Sequence, residues 1–202
     1  SGFIYLTGNS TVTSTSGTVT FSGAIDGNST NSLDVNAGTG LIIFQEPISN
    51  TTTLTITQSG GTTFDGNVTT SASVVLTDTT AGADITFNGT LSTGTLSTMA
   101  AGYNVKLHGG CTIEGNTNTT FLNAGTTTIG DDSGDSSTFE GGLTATAGPV
   151  SIAGTVATPD TAMVLGETTL AANSTLKSIG EGSGDTITVA SMTGDYKLTL
   201  QE

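Results

Sequence analysis

The chain has 202 residues and a formal net charge of −14, from 17 acidic side chains against 3 basic ones, Lys106, Lys177 and Lys197, with no arginine. Nucleic acids and anionic membrane surfaces are bound through Lys/Arg clusters that neutralise phosphate, so both are excluded as direct partners. Apolar residues make up 34% and aromatics 5%, with no Trp, while Ser and Thr fill about a third of the chain; that suits a slender core lined by small β-branched side chains better than a broad globular one.

The run Gly2-Phe3-Ile4-Tyr5-Leu6 has no polar lead-in and reads as a strand at the first residues. Gly17 to Ile25 then gives a first copy of the pattern G-x-V-x-F-x-G-x-I. The stretch from Leu33 to Leu91 repeats its rhythm three times. Leu33-Asp34-Val35 leads through Gly38 and Gly40 to Leu41-Ile42-Ile43-Phe44, Leu54-Thr55-Ile56 leads through Gly60 and Gly61 to Phe64, and Val74-Val75-Leu76 leads through Gly82 to Ile85-Thr86-Phe87. Two short alternating runs per unit of about 20 to 23 residues, separated by Gly/Thr/Ser/Asn turns, are the signature of a solenoid with one coil per repeat.

From Ser92 to Gly102 the alternation loosens, which predicts an insertion in that coil before Val105-Lys106-Leu107 and Cys111-Thr112-Ile113 resume it. Asn123-Ala124-Gly125-Thr126 repeats Asn36-Ala37-Gly38-Thr39 at a distance close to four coils, so the register is expected to survive. Gly130 to Ser137 is an acidic loop. Phe139 to Leu143 and Val150 to Val156 return to the pattern, with Pro149 and Pro159 between runs as strand chemistry requires. Weaker copies follow at Met163-Val164-Leu165, Thr169-Leu170 and Leu176, before Ile187-Thr188-Val189 and Tyr196 to Leu200 close the chain. The nearest helical candidate, Thr161 to Leu176, is too rich in Gly and Thr, so almost no helix is expected.

Strands this short bury an apolar face only by stacking, each coil pairing in parallel with the one before. The fold class expected is therefore all-β: a parallel β-helix (β-solenoid) of about nine coils and roughly 40 Å, right-handed as parallel crossovers are, running continuously over residues 1–202. The alternative is a tandem β-sandwich, against which the short period speaks. Ser32 to Gly40 and Ala83 to Leu91 resemble the strand repeats of giant bacterial surface proteins, the filamentous-haemagglutinin-like and autotransporter-passenger adhesins. The likeness covers most of residues 17 to 156. It implies secretion, a β-solenoid, and a cell-surface role as stalk, fibre or adhesin facing a host receptor or glycan; it carries over no catalytic residue.

Among chemistry-bearing groups, Asp131, Asp132 and Asp135 share one Gly/Ser loop and form the candidate metal site, with calcium as the ion such oxygen donors take. Gly182-Ser183-Gly184-Asp185 departs from the calcium-binding nonapeptide, because its Asp follows the second Gly directly. Lys106 and His108 share a strand face, with Glu114 nearby, but one His beside one Lys is too little for acid/base work, and no enzyme is expected. A polysaccharide-binding or polysaccharide-cleaving β-helix is the rival class, disfavoured by the absence of Arg and the scarcity of aromatics. Asn-x-Ser/Thr triplets at Asn9, Asn28, Asn50, Asn67, Asn88, Asn118 and Asn173 are candidate glycosylation sites. Cys111 is alone and reads as a buried small hydrophobe. No signal peptide or membrane span is present, so an export signal is expected outside this chain. The apolar strands at both ends lack caps, which predicts end-to-end stacking, either onto further repeats or onto a second copy.

Overall fold

A computed structural model describes residues 2–180 and 185–201; Gly182, Ser183 and Gly184 of the glycine-rich phrase lie outside them. Each coil supplies strand segments to three faces. The early coils are β1 (Ile4–Tyr5), β2 (Ser10–Thr13) and β3 (Val19–Phe21), then β4 (Ile25–Asp26), β5 (Leu33–Asn36) and β6 (Ile42–Phe44), then β7 (Ile48–Ser59) and β8 (Thr62–Phe64). The middle coils hold β9 (Val68–Thr79), β10 (Asp84–Phe87), β11 (Leu91–Thr93), β12 (Thr95–Thr98), β13 (Asn104–Leu107), β14 (Cys111–Ile113), β15 (Thr119–Phe121) and β16 (Thr127–Ile129). The last are β17 (Ser136–Phe139), β18 (Leu143–Ala145), β19 (Val150–Ala157), β20 (Met163–Lys177), β21 (Ile187–Thr193) and β22 (Leu198–Gln201). Among the described residues there is no helix, and β20 occupies the stretch that came nearest to a helical pattern.

Every strand pairing is parallel, which is a β-solenoid of about nine turns. On the first face Ile4 pairs with Ile25, Ile25 with Ile48 and Ile48 with Val68, and the column runs on through Leu91, Cys111, Ser137, Val156 and Leu176 to Leu200. The third face aligns Phe21, Phe44, Phe64, Phe87, Leu107, Ile129, Ile152 and Leu170. Because side chains alternate across a strand, each column points inward, and the three columns fill one continuous core. The four phenylalanines stack with ring centroids 4.7, 4.7 and 4.4 Å apart and planes within 10° of parallel, so the rings follow the strand spacing itself.

Hydroxyls share that interior. Thr51, Ser59, Thr62, Thr70, Thr79, Thr93 and Thr98 are buried, and several satisfy one another: Ser59 meets Thr62 of its own coil and Thr79 of the next, each at 3.0 Å, and Thr70 meets Thr93 of the next coil at 2.6 Å. Two glycines make the close approach of successive coils visible. Gly38 has φ +57°, and a Cβ there would lie 2.0 Å from the Thr15 carbonyl oxygen; Gly154 has φ +73°, and its Cβ would meet the Asp135 carbonyl oxygen at 2.3 Å.

The second face carries Val12, Val35, Ile56 and Leu76 to Thr98 on one side, and Phe121, Ala145, Leu165 and Val189 on the other. Between β12 and β15 the ladder is broken, whereas β11–β14 and β13–β16 continue past it on the flanking faces. β11 and β12 are separated by Gly94 alone, but Glu114 to Asn118 intervene between β14 and β15, so the two coils reach this face out of step. The expected insertion at Ser92 to Gly102 is therefore corrected: Leu91 and Cys111 are ordinary neighbours, and the extra residues lie between Cys111 and its partner Ser137. The repeated Asn-Ala-Gly-Thr phrase spans four coils as expected but shifts register by one residue. Asn36 follows inward Val35 and its side chain accepts the Gly38 N–H, whereas Asn123 is itself turned into the core.

Candidate functional sites

Between β16 and β17 the chain leaves Gly130, at φ +75°, and forms the acidic loop. The carboxylates of Asp131, Asp132 and Asp135 each place an oxygen within 4.8 Å of the others. Asp135 holds the loop itself, its Oδ2 accepting the N–H groups of Asp131 at 2.8 Å and Asp132 at 2.9 Å, while Asp132 Oδ1 accepts the Gly134 N–H at 2.6 Å. The loop is tied back to the next coil by the Thr155 N–H, which donates to the Asp135 carbonyl at 2.8 Å. Desolvation, a hydrogen bond with Asp135 and the charges of Asp135 and Asp132 push the Asp131 carboxyl above its ordinary range, against the opposing pull of His108, whose Nδ1 lies 3.6 Å from Asp131 Oδ2. A divalent cation would relieve this crowding of negative oxygens, and the oxygen-only donor set matches calcium rather than a softer metal.

Lys106 lies on the outward side of β13, whereas His108 falls in the turn just past the strand's end, and the two face different partners. Lys106 pairs with the Asp84 carboxylate of the preceding coil, which also accepts from Asn104 at 2.8 Å. Burial alone would raise the Asp84 carboxyl; the Lys106 ammonium and the Asn104 amide outweigh it and hold the group below its ordinary range. Glu114 is on the first face, accepting from Ser92 at 3.2 Å. These three residues are thus not assembled into one constellation.

All seven sequon asparagines are exposed. At Asn9, Asn67 and Asn173 the side-chain oxygen accepts an N–H of the following coil, from Ser32, Thr90 and Lys197, each at 3.0 Å. Asn50 and Asn88 donate through Nδ2 to Asp26 and Asp65, and Asn118 to the hydroxyls of Thr120 and Thr144. Asn28 sits at φ +53°, its N–H bonded to Asp26. A glycan attached at Nδ2 is therefore compatible with the existing bonds of Asn9, Asn67 and Asn173 and breaks those of Asn50, Asn88 and Asn118. Cys111 is buried, and desolvation pushes its thiol up to about 12 although the Ser137 hydroxyl and the Thr138 backbone favour the thiolate. Ser137 Oγ has no nitrogen or oxygen partner; the thiol is its neighbour.

On the interface just before the broken ladder, where β9 pairs with β12, sequence reasoning missed a buried tyrosine. Tyr103 is fully buried, and its hydroxyl sits between two strands, accepting the Met99 N–H at 2.9 Å and donating to the Leu76 carbonyl at 2.9 Å. Burial raises its pKa, so the phenol stays protonated. One coil further, the Leu122 N–H donates to Thr98 Oγ1 at 2.7 Å. Leu96, Thr98, Met99, Asn118, Thr120 and Leu122 line a shallow cleft here, with Met99 and Leu122 each 45% exposed. A Tyr in mid-chain, far from Tyr5 and Tyr196 near the ends, was the available signal in a chain this poor in aromatics. Comparison with family models, with curated proteins and with solved structures finds no match to this chain.

Proposed function

We propose that this chain is an extracellular structural β-solenoid, serving at a cell surface as stalk, fibre segment or adhesin. The observation that carries the reading is the continuous parallel ladder on the first and third faces, which makes a rod whose outward rows are mostly Thr, Ser and Asn. Such a rod spaces or presents; its surface clefts are open and lined by short polar side chains, as at Ser133, Thr155, Asn173, Thr175 and Thr199. The test is antibody labelling of intact source cells, which stains their surface if the reading holds. Staining only after permeabilisation overturns it.

Stacking belongs to the same proposal. The core is partly open at both ends of the described structure, at Ile4, Val12, Val19 and Phe21 and again at Ile187, Val189, Met192 and Leu198. A further coil continues the ladders and covers these side chains, whether it comes from the same polypeptide or from a second copy. Light scattering then finds mass rising with protein concentration; a strictly monomeric species at high concentration removes the second-copy form. The rival reading, a module that binds or cleaves a polysaccharide, rests on the same hydroxyl-rich clefts. A glycan array without binding, together with no release of reducing ends, disposes of it.

A further inference from the structure

We propose that the break between β12 and β15 is a hinge, at which the second face opens while the first and third faces stay laddered, and that the hydroxyl of Thr98 is its latch. The argument begins with hydrogen bonding. In a stack of coils each interface is held mainly by main-chain bonds on its faces, so the loss of one face's ladder makes that interface the weakest nearest-neighbour contact in the rod. The break is confined to one face, because β11–β14 on one flank and β13–β16 on the other remain paired in register. Two intact ladders beside one broken ladder define an axis: the coils can tilt apart on the second face without separating on the others.

What holds the face closed is side-chain chemistry. The Leu122 N–H, just past β15, is received not by a carbonyl but by the Thr98 hydroxyl at the end of β12. The bridging hydroxyl is buried, and the backbone N–H it serves would be left unsatisfied without it. Past the corner the interface is held again, by Asn123 Nδ2 donating to the Tyr103 carbonyl at 3.4 Å and the Ala124 N–H to the Ala101 carbonyl at 2.8 Å, so the opening is confined to the second face. The exposed side chains of Met99 and Leu122, flanking the cleft, mark where the two coils part.

Hydrogen exchange on the unmodified protein tests this first. The amide of Leu122 exchanges at least about ten-fold faster than second-face amides of β7 and β20, because opening at the hinge costs less than unfolding a coil. Thr98→Val then accelerates Leu122 by roughly ten-fold or more, without change in Met99, β7 or β20. Spin labels at Ser97→Cys and Thr120→Cys, across the break, give a broader distance distribution than labels at Thr55→Cys and Val75→Cys, which face each other across an intact ladder. Uniform protection across the break, or equal distribution widths for the two label pairs, overturns the proposal. If a variant fails to fold, the exchange pattern of the unmodified protein still decides.

Discussion

Phe64 has an aromatic ring on either face, Phe44 below and Phe87 above, and no exposed surface. Truncating it removes both stacking contacts and leaves a hole the coils cannot close, because their spacing is fixed by main-chain bonds. Phe64→Ala is expected to cost about 3–5 kcal/mol, read as a lowered denaturation midpoint. The charged residues behave more mildly. Asp84, held below its ordinary pKa, contributes stability that is present above the carboxylate range and lost as pH falls through it. Both side chains of the Asp84–Lys106 pair are partly exposed, so a double-mutant cycle with Asp84→Asn and Lys106→Met should return only about 0.2–1 kcal/mol at neutral pH, shrinking as pH falls through the carboxylate range. Asp131 has the opposite sign. Its ionised form is disfavoured in the folded loop, a penalty present at neutral pH and relieved as pH falls below the carboxylate range. In the presence of a chelator, Asp131→Asn should therefore melt higher than the parent at pH 8, and the gain should vanish in acid. At Cys111, burial and a pKa pushed up to about 12 predict no reaction with a thiol reagent until the protein unfolds, a property that makes the thiol a clean unfolding probe.

At the scale of the coil, the sequence is legible where apolar residues do the inward work and opaque where hydroxyls do it. Phe44, Phe64 and Phe87 announce the period, and the structure places them in one stack. Thr51, Thr70, Thr93 and Thr98 hold inward positions too, yet they read as outward decoration because Thr is equally at home on either side of a strand. This is why the loosened alternation at Ser92 to Gly102 suggests an insertion where the coil is of ordinary length, and why the true length change, between Cys111 and Ser137, passes unnoticed. The candidate cation loop was readable from three aspartates in a row of Gly and Ser. Its tie to the next coil was not, since it depends on a positive φ at Gly154 and on a carbonyl. The broken ladder lay beyond reach as well: it comes from two connections of unequal length on adjacent coils, a comparison that needs the register to be known first.

For the molecule as a whole, the governing fact is that coils meet their neighbours through the same three columns, with the second-face break between β12 and β15 as the exception among the described residues. Removing residues 48–67 takes out one whole coil, after which Ile25 can face Val68, Leu33 can face Val74 and Phe44 can face Phe87, each pairing of the kind already present. This deletion is expected to fold, with an unchanged β-type circular dichroism spectrum per residue and a modestly lowered midpoint. Removing residues 48–57 takes out half a coil, destroys the register on two faces, and should give an unfolded or aggregated product. Length in such a rod is therefore a trait that heredity can adjust separately from all others. A duplication or loss of the gene segment for one coil lengthens or shortens the reach by one strand spacing and leaves the surface chemistry of the remaining coils as it was.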